Sequence, residues 1–203
     1  MKRIILYNIL FIFLLYSFEA KAAETATQIL NRCAETVNEA ELLDVNFTLN
    51  AGGQTADFSM KISHEKFMME SKDVAIWFNG VTQWTYVKSS RELNITDPTT
   101  DELMESNPFS ILNFYDKVYN TRRLAGAGIA IEMTSKDSNS TIRKAVVSIN
   151  SKTYLPSKIV VTLHNGRTMT AVITSITKGK RPSATTFTYD KAKYPATETI
   201  DLR

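Results

Sequence analysis

Residues 73–87, "DVAIWFNGVTQWTYV", hold both tryptophans of the chain, with Phe78 and Tyr86, around one short turn. Asn-Gly between alternating apolar residues is the strongest short-range hairpin signal, because a type I′ turn needs positive φ at both central positions. A two-residue Asn79-Gly80 loop sets Phe78 opposite Val81, Trp77 opposite Thr82, Ile76 opposite Gln83 and Ala75 opposite Trp84. Val74, Ile76, Phe78 and Val81 then share one face, and Ala75, Trp77, Trp84 and Tyr86 the other. Both faces are apolar, so each requires a cover.

Outward from this hairpin the same texture continues. Leu43, Val45, Phe47 and Leu49 alternate with polar residues, as do Ala56, Phe58, Met60 and Ile62 after Gly52-Gly53. "KFMMES" (66–71) is a third strand and "RELNIT" (91–96) a sixth, joined by connections too short for parallel crossovers. Ahead of the strands, Ile29, Leu30, Cys33, Ala34 and Val37 recur at helical spacing and predict a helix over about Ala26 to Ala40. After Asp97-Pro98, Thr99 and Glu102 have the spacing of a capping box, and Asn107-Pro108 reads as a second helix start. The stretch that follows, with Phe109, Ile111, Leu112, Tyr115 and Val118, is apolar over most of a helix and must be buried or cover something. Residues 129–133, 141–149, 157–163 and 168–176 return to strands, with an Asn165-Gly166 hairpin expected to be type I′. A last strand, "TTFTYD" (185–190), precedes a polar tail. The expected architecture is α+β: one domain, with an antiparallel sheet of about 11 strands, an N-terminal helix and a helical insertion.

The first 22 residues read as an address. Lys2-Arg3, an apolar run over 4–18 and Ala20-Lys21-Ala22 form a cleavable signal peptide, and the run is shorter than the roughly 20 residues that span a membrane. The mature domain is therefore expected over 23–203. Without Lys2, Arg3, Glu19 and Lys21, 21 basic and 20 acidic residues remain, and the formal charge falls from +3 to +1. Nothing in that balance argues for nucleic acid. Cys33, the one cysteine, rules out an internal disulfide and reads as a small buried apolar residue.

Chemistry-bearing patterns are sparse. His64 and His164 have no Cys or His at ligand spacing, and no nucleophile elbow, phosphate-binding loop or dinucleotide fingerprint occurs. No catalytic residue, metal site or cofactor is assigned, and the chain is read as a non-enzyme. A small exported hydrolase is the poorest of the readings, since no nucleophile and base pair off. What stands out is an excess of apolar side chains on strands, with adaptable methionines among them.

The succession "KFMMESKDVAIWFNGVTQWTYV", "NPFSILN", "LPSKIVVTLHNGRTMTAVITSI" and "FTYD…IDL" resembles the periplasmic outer-membrane lipoprotein carrier (LolA) family across nearly the whole mature chain. The matching features are Asn79-Gly80 before Trp84-Thr85-Tyr86, the Pro108-Phe109 helix, and a closing Phe187-Thr188-Tyr189 strand. The resemblance implies an incomplete, half-open antiparallel barrel whose concave apolar face is closed by a helical lid. It also implies a monomeric periplasmic carrier that takes acylated lipoproteins from an inner-membrane ABC transporter complex to an outer-membrane acceptor or membrane surface. A lipid or lipopeptide sensor, or an accessory subunit on the same scaffold, is the rival reading.

The acyl-chain cavity is then expected to involve Phe47, Phe58, Met60, Phe67, Met69, Ala75, Trp77, Trp84 and Tyr86, with Phe109, Ile111 and Leu112 on the lid. Val74, Ile76, Phe78 and Val81 are expected to pack on the convex side. Family members often carry a lid-locking arginine on the second strand. Ile62 stands there, on the face of Phe58 and Met60 with Lys61 opposite, so apolar contacts are expected to hold the lid. The same side chains would line a filled core or an empty one.

Overall fold

The computed structural model describes residues 23–203; the expected signal peptide, 1–22, lies outside the described residues. The described residues open with α1 (Ala26–Asn38), started by a capping box in which the Thr25 hydroxyl accepts from the Gln28 amide and the Gln28 side chain accepts in return. Six strands follow: β1 (Leu43–Ala51), β2 (Gln54–Ser63), β3 (Lys66–Glu70), β4 (Val74–Phe78), β5 (Gln83–Val87) and β6 (Glu92–Thr96). The insertion comprises α2 (Thr100–Ser106), a 3-10 turn (Pro108–Ser110) and α3 (Ile111–Val118). Then come β7 (Tyr119–Arg123), β8 (Ile129–Ser135), β9 (Ile142–Ile149), β10 (Pro156–Leu163), β11 (Thr168–Lys178) and β12 (Glu198–Asp201).

All twelve strands form one open sheet in the order β12-β6-β5-β4-β3-β2-β1-β11-β10-β9-β8-β7. Every pairing is antiparallel except β12 with β6. The two halves join at β1–β11, where Asn46 pairs with Ser175 and Phe47 with Ile173, leaving Thr174 as an extra residue whose hydroxyl donates to the Asn46 carbonyl at 3.0 Å. Such a bulge bends and twists the sheet at its middle. The result is an incomplete barrel around α1, α2 and α3.

Three sequence expectations are corrected. The closing strand is not 185–190, which runs through turns, but Glu198–Asp201 in the polar tail, and β7 adds a strand whose pattern (Tyr119, then polar residues) hides it. The first hairpin turns one residue later than Asn79-Gly80 implies. Its strands pair Trp77 with Trp84, Phe78 with Gln83 and Ala75 with Tyr86, and the Asn79 amide donates to the Thr82 carbonyl at 3.2 Å. Gly80 alone of the pair has positive φ, at 101°, while the Asn79 side chain accepts from the Val81 and Thr82 amides, both at 2.9 Å. Because partners move by two residues, the side chains keep their faces. Val81 enters the loop and is 67% exposed rather than packed. Likewise, the Leu163 amide bonds the Arg167 carbonyl, giving a three-residue loop of His164, Asn165 and Gly166 in which only Gly166 is left-handed (φ 83°).

Gly80 meets almost nothing in space, so its requirement is conformational. Gly80→Ala is expected to destabilise the protein by about 1–2 kcal/mol through strain at positive φ, measured by urea unfolding.

Candidate functional site

The sheet has two buried faces with different covers. On the inner face, Phe47 and Phe58 stack at 5.3 Å with rings 8° apart, and Phe109 of the 3-10 turn meets Phe47 edge-on at 5.5 Å. Met60, Ile62, Phe67, Met69, Ile76 and Phe78 extend this surface, and Ile29, Leu30 and Cys33 of α1 with Met104, Ile111 and Leu112 close it. Burial pushes the Cys33 thiol up to about 12 and suppresses its reactivity. It also raises the hydroxyls of Tyr115, beside Asp116, and Tyr119 to about 12.

The structure therefore brings together eight of the residues expected at the cavity and lid: Phe47, Phe58, Met60, Phe67, Met69, Phe109, Ile111 and Leu112. It does not bring Ala75, Trp77, Trp84 and Tyr86 to them. Those four lie on the opposite face, where Tyr189, Tyr194 and Ala196 of the segment before β12 cover them. Val81 apart, strand alternation grouped the two sets correctly, but their roles are exchanged: Ile76 and Phe78, expected on the convex side, line the interior. Alternation states which residues share a face, not which face the helices choose.

The outer cover is a strap. Trp77 is gripped edge-on by Tyr194 at 4.9 Å and by Tyr189 at 5.7 Å. The Tyr86 hydroxyl and Arg91 Nε donate to the Pro195 carbonyl at 3.3 and 3.1 Å. At its other end Glu70 pairs with Lys88 at 2.6 Å and with strap residue Lys193 at 3.4 Å. Burial raises the Glu70 carboxyl, but Lys88, the Tyr194 hydroxyl and Lys193 together outweigh it and the group ends below its ordinary value.

The lid is held by apolar contact and by short polar tethers. Glu102 closes the capping box by accepting from the Thr99 amide at 2.7 Å, which lowers its pKa. Asp101 reaches across to the β8–β9 connection and accepts from the Thr141 amide at 2.7 Å and the Ser140 hydroxyl at 3.0 Å. Ser106 donates to Gln83 Oε1 at 3.0 Å, and the Tyr115 hydroxyl to Asn31 of α1. Ile62 is buried on the lid side and Lys61 pairs with Asp44 on the other, so the position of the family arginine carries no polar lock. In this closed state a void among Val37, Ile62, Phe67 and Phe109 measures about 10 Å³, room for about one water. Among the described residues no three His, Cys, Asp or Glu side chains gather as metal ligands.

The family described as "Outer membrane lipoprotein carrier protein LolA" matches residues 15–167. No curated protein matches the chain. An uncharacterized conserved protein from Thermus thermophilus superposes with a TM-score of 0.55 at 10% identity, over 87% of this chain and 98% of that one. A DUF1329 family protein from Desulfovibrio piger gives 0.50 at 10% identity, over 85% and 100%. A LolA superfamily protein from Nitrosomonas europaea gives 0.42 at 14% identity, over 82% and 99%. The first two likenesses show the fold.

Removing the Asp101 carboxylate strands the Thr141 amide and frees one end of the lid. Asp101→Ala is expected to speed amide exchange of residues 100–118 by roughly ten- to a hundredfold, for hydrogen bonds worth about 1.5–3 kcal/mol. On the outer face, a carboxyl with lowered folded pKa stabilises above its unfolded pKa, and that contribution disappears as pH falls through the folded value. Strap contacts on Trp77 are thus expected to loosen below about pH 4.3, seen as a change in tryptophan emission that Glu70→Gln flattens.

Proposed function

Because the chain belongs to the outer membrane lipoprotein carrier (LolA) family, we propose that it is a periplasmic carrier that shields the acyl chains of lipoproteins on their way from the inner to the outer membrane. The observation that supports this reading is the inner face itself. Phe47, Phe58, Met60, Phe67 and Met69 form a continuous apolar surface whose cover over 99–118 hangs on a handful of hydrogen bonds. Methionines adapt to chains of varied path, which suits acyl groups.

Energetics explain why a carrier is needed. At about 0.8 kcal/mol per CH₂, exposing one chain of roughly 14 methylenes costs about 11 kcal/mol, so a free acylated protein does not cross water. The protein acts by binding and release, without bond chemistry. Its partners are acylated lipoproteins, an inner-membrane ABC transporter complex that hands them over, and an acceptor or membrane surface opposite.

Two measurements test this. The purified protein should release lipoprotein from inner-membrane vesicles into the soluble phase; binding without release would favour a sensor instead. A diacylated lipopeptide should displace an apolar dye from the protein, and failure to do so would overturn the proposal. Ala75→Phe is expected to leave that displacement unchanged while costing about 1–3 kcal/mol in stability, because Ala75 is fully buried under the strap and not in the interior.

A further inference from the structure

We propose that acyl chains pass into the interior through a slot between α1, α3 and the β2–β3 turn, leaving a head group that donates hydrogen bonds in the groove outside; this rests on the carrier reading. A surface groove of about 370 Å³ lies there, walled by Ala34 and Asn38 of α1, Leu112 and Asn113 of α3, and His64 and Glu65 of the turn. A small crevice beneath shares three of those residues, His64, Glu65 and Asn113, and reaches Val37, Ile62, Phe67 and Phe109, with Lys66, Asn107 and Ser110 completing its lining. One layer of side chains thus separates water from the inner face. Its turn includes a non-glycine residue in the left-handed region, His64 at φ 53°, a conformation held at some cost.

The opposite end of the lid is built differently. A larger cleft of about 760 Å³ opens beside Thr99, Thr100 and Lys117, but its wall includes Asp101, Ser140 and Thr141, the residues whose hydrogen bonds tie α2 to the sheet. Passage there would break charge-assisted bonds, whereas parting α1 from α3 breaks the Tyr115–Asn31 bond and apolar contacts.

Two carboxylates, Glu65 and Asp116, stand on the groove wall beside His64, and the Asn38 and Asn113 amides offer both donors and acceptors. The Asn38 side-chain carbonyl oxygen is buried without a hydrogen-bond partner, and parting the helices uncovers it. Among the described residues the carboxylates of Glu65 and Asp116, both on the groove wall, make no ion pair. Lys66 lines the void and the separate groove beyond the turn, against Pro182 and Phe187, but not this one. A head bearing an ammonium, amide or hydroxyl is matched here; an anionic head is opposed.

The test uses the mature protein, an apolar dye, and two amphiphiles of equal chain length, hexadecylammonium and hexadecanoate, below their micellar concentrations. Ala34→Trp and Asn113→Trp, which fill the slot from either side, should slow dye uptake by about tenfold, with Asn139→Trp, on the larger cleft's wall outside the lid, at the parental rate. Hexadecylammonium should displace dye at about threefold lower concentration than hexadecanoate, and Glu65→Gln with Asp116→Asn should abolish that difference. Parental uptake rates in both slot variants, equal slowing by Asn139→Trp, or equal potency of the two amphiphiles would overturn the inference while leaving the carrier reading standing. If the parent binds neither dye nor lipopeptide, the carrier reading fails first.

Discussion

Between Lys66 and Val87 the sheet carries apolar side chains on both faces, and strands buried on both sides need a cover on each. Phe67, Met69, Ile76 and Phe78 turn one way; Met68, Ala75, Trp77 and Tyr86 turn the other. The antiparallel meander ordinarily leaves one face to water. Here the insertion over 99–118 covers the inner face, and the segment from Phe187 to Ala196 covers the outer one before β12 pairs with β6. Both ends of the architecture, lid and strap, answer the same requirement.

The covers differ in how they are fastened. The strap combines aromatic edge contacts on Trp77 with two carbonyl bonds at Pro195 and the Glu70 ion pairs, so several kinds of interaction must fail together. The lid relies on burial of Phe109, Ile111 and Leu112, at about 1.5–3 kcal/mol each, plus hydrogen bonds clustered toward α2. Its apolar sum, roughly 5–9 kcal/mol, is of the same order as burial of one acyl chain, the cargo proposed above. A cover that a ligand replaces at near balance suits reversible loading.

Much of this was legible in the sequence. The α1 stripe, the Thr99–Glu102 capping box, the Asn107-Pro108 start and most strands follow from periodicity and cap chemistry, which act over a few residues. Hairpin register was not, because Asn79 uses its side chain to bind the loop amides rather than adopting positive φ, and Gly80 alone takes the strained position. β12 and β7 were hidden for another reason: both lie at the sheet's ends, where strands are short and polar and pairing is decided by what approaches the edge.

By itself, then, the sequence determined which side chains travel together, since strand alternation and helical spacing are local properties of the backbone. Only the tertiary structure decided where each set goes. It sent Phe47, Phe58, Phe67 and Phe78 to the lid and Trp77, Trp84 and Tyr86 to the strap, exchanging the roles expected for the two faces of residues 73–87. The reason is that two apolar faces of one hairpin are locally equivalent; the helical insertion that shares a buried cluster with Ile76 and Phe78, and Tyr194 against Trp77, both far along the chain, distinguish inside from outside.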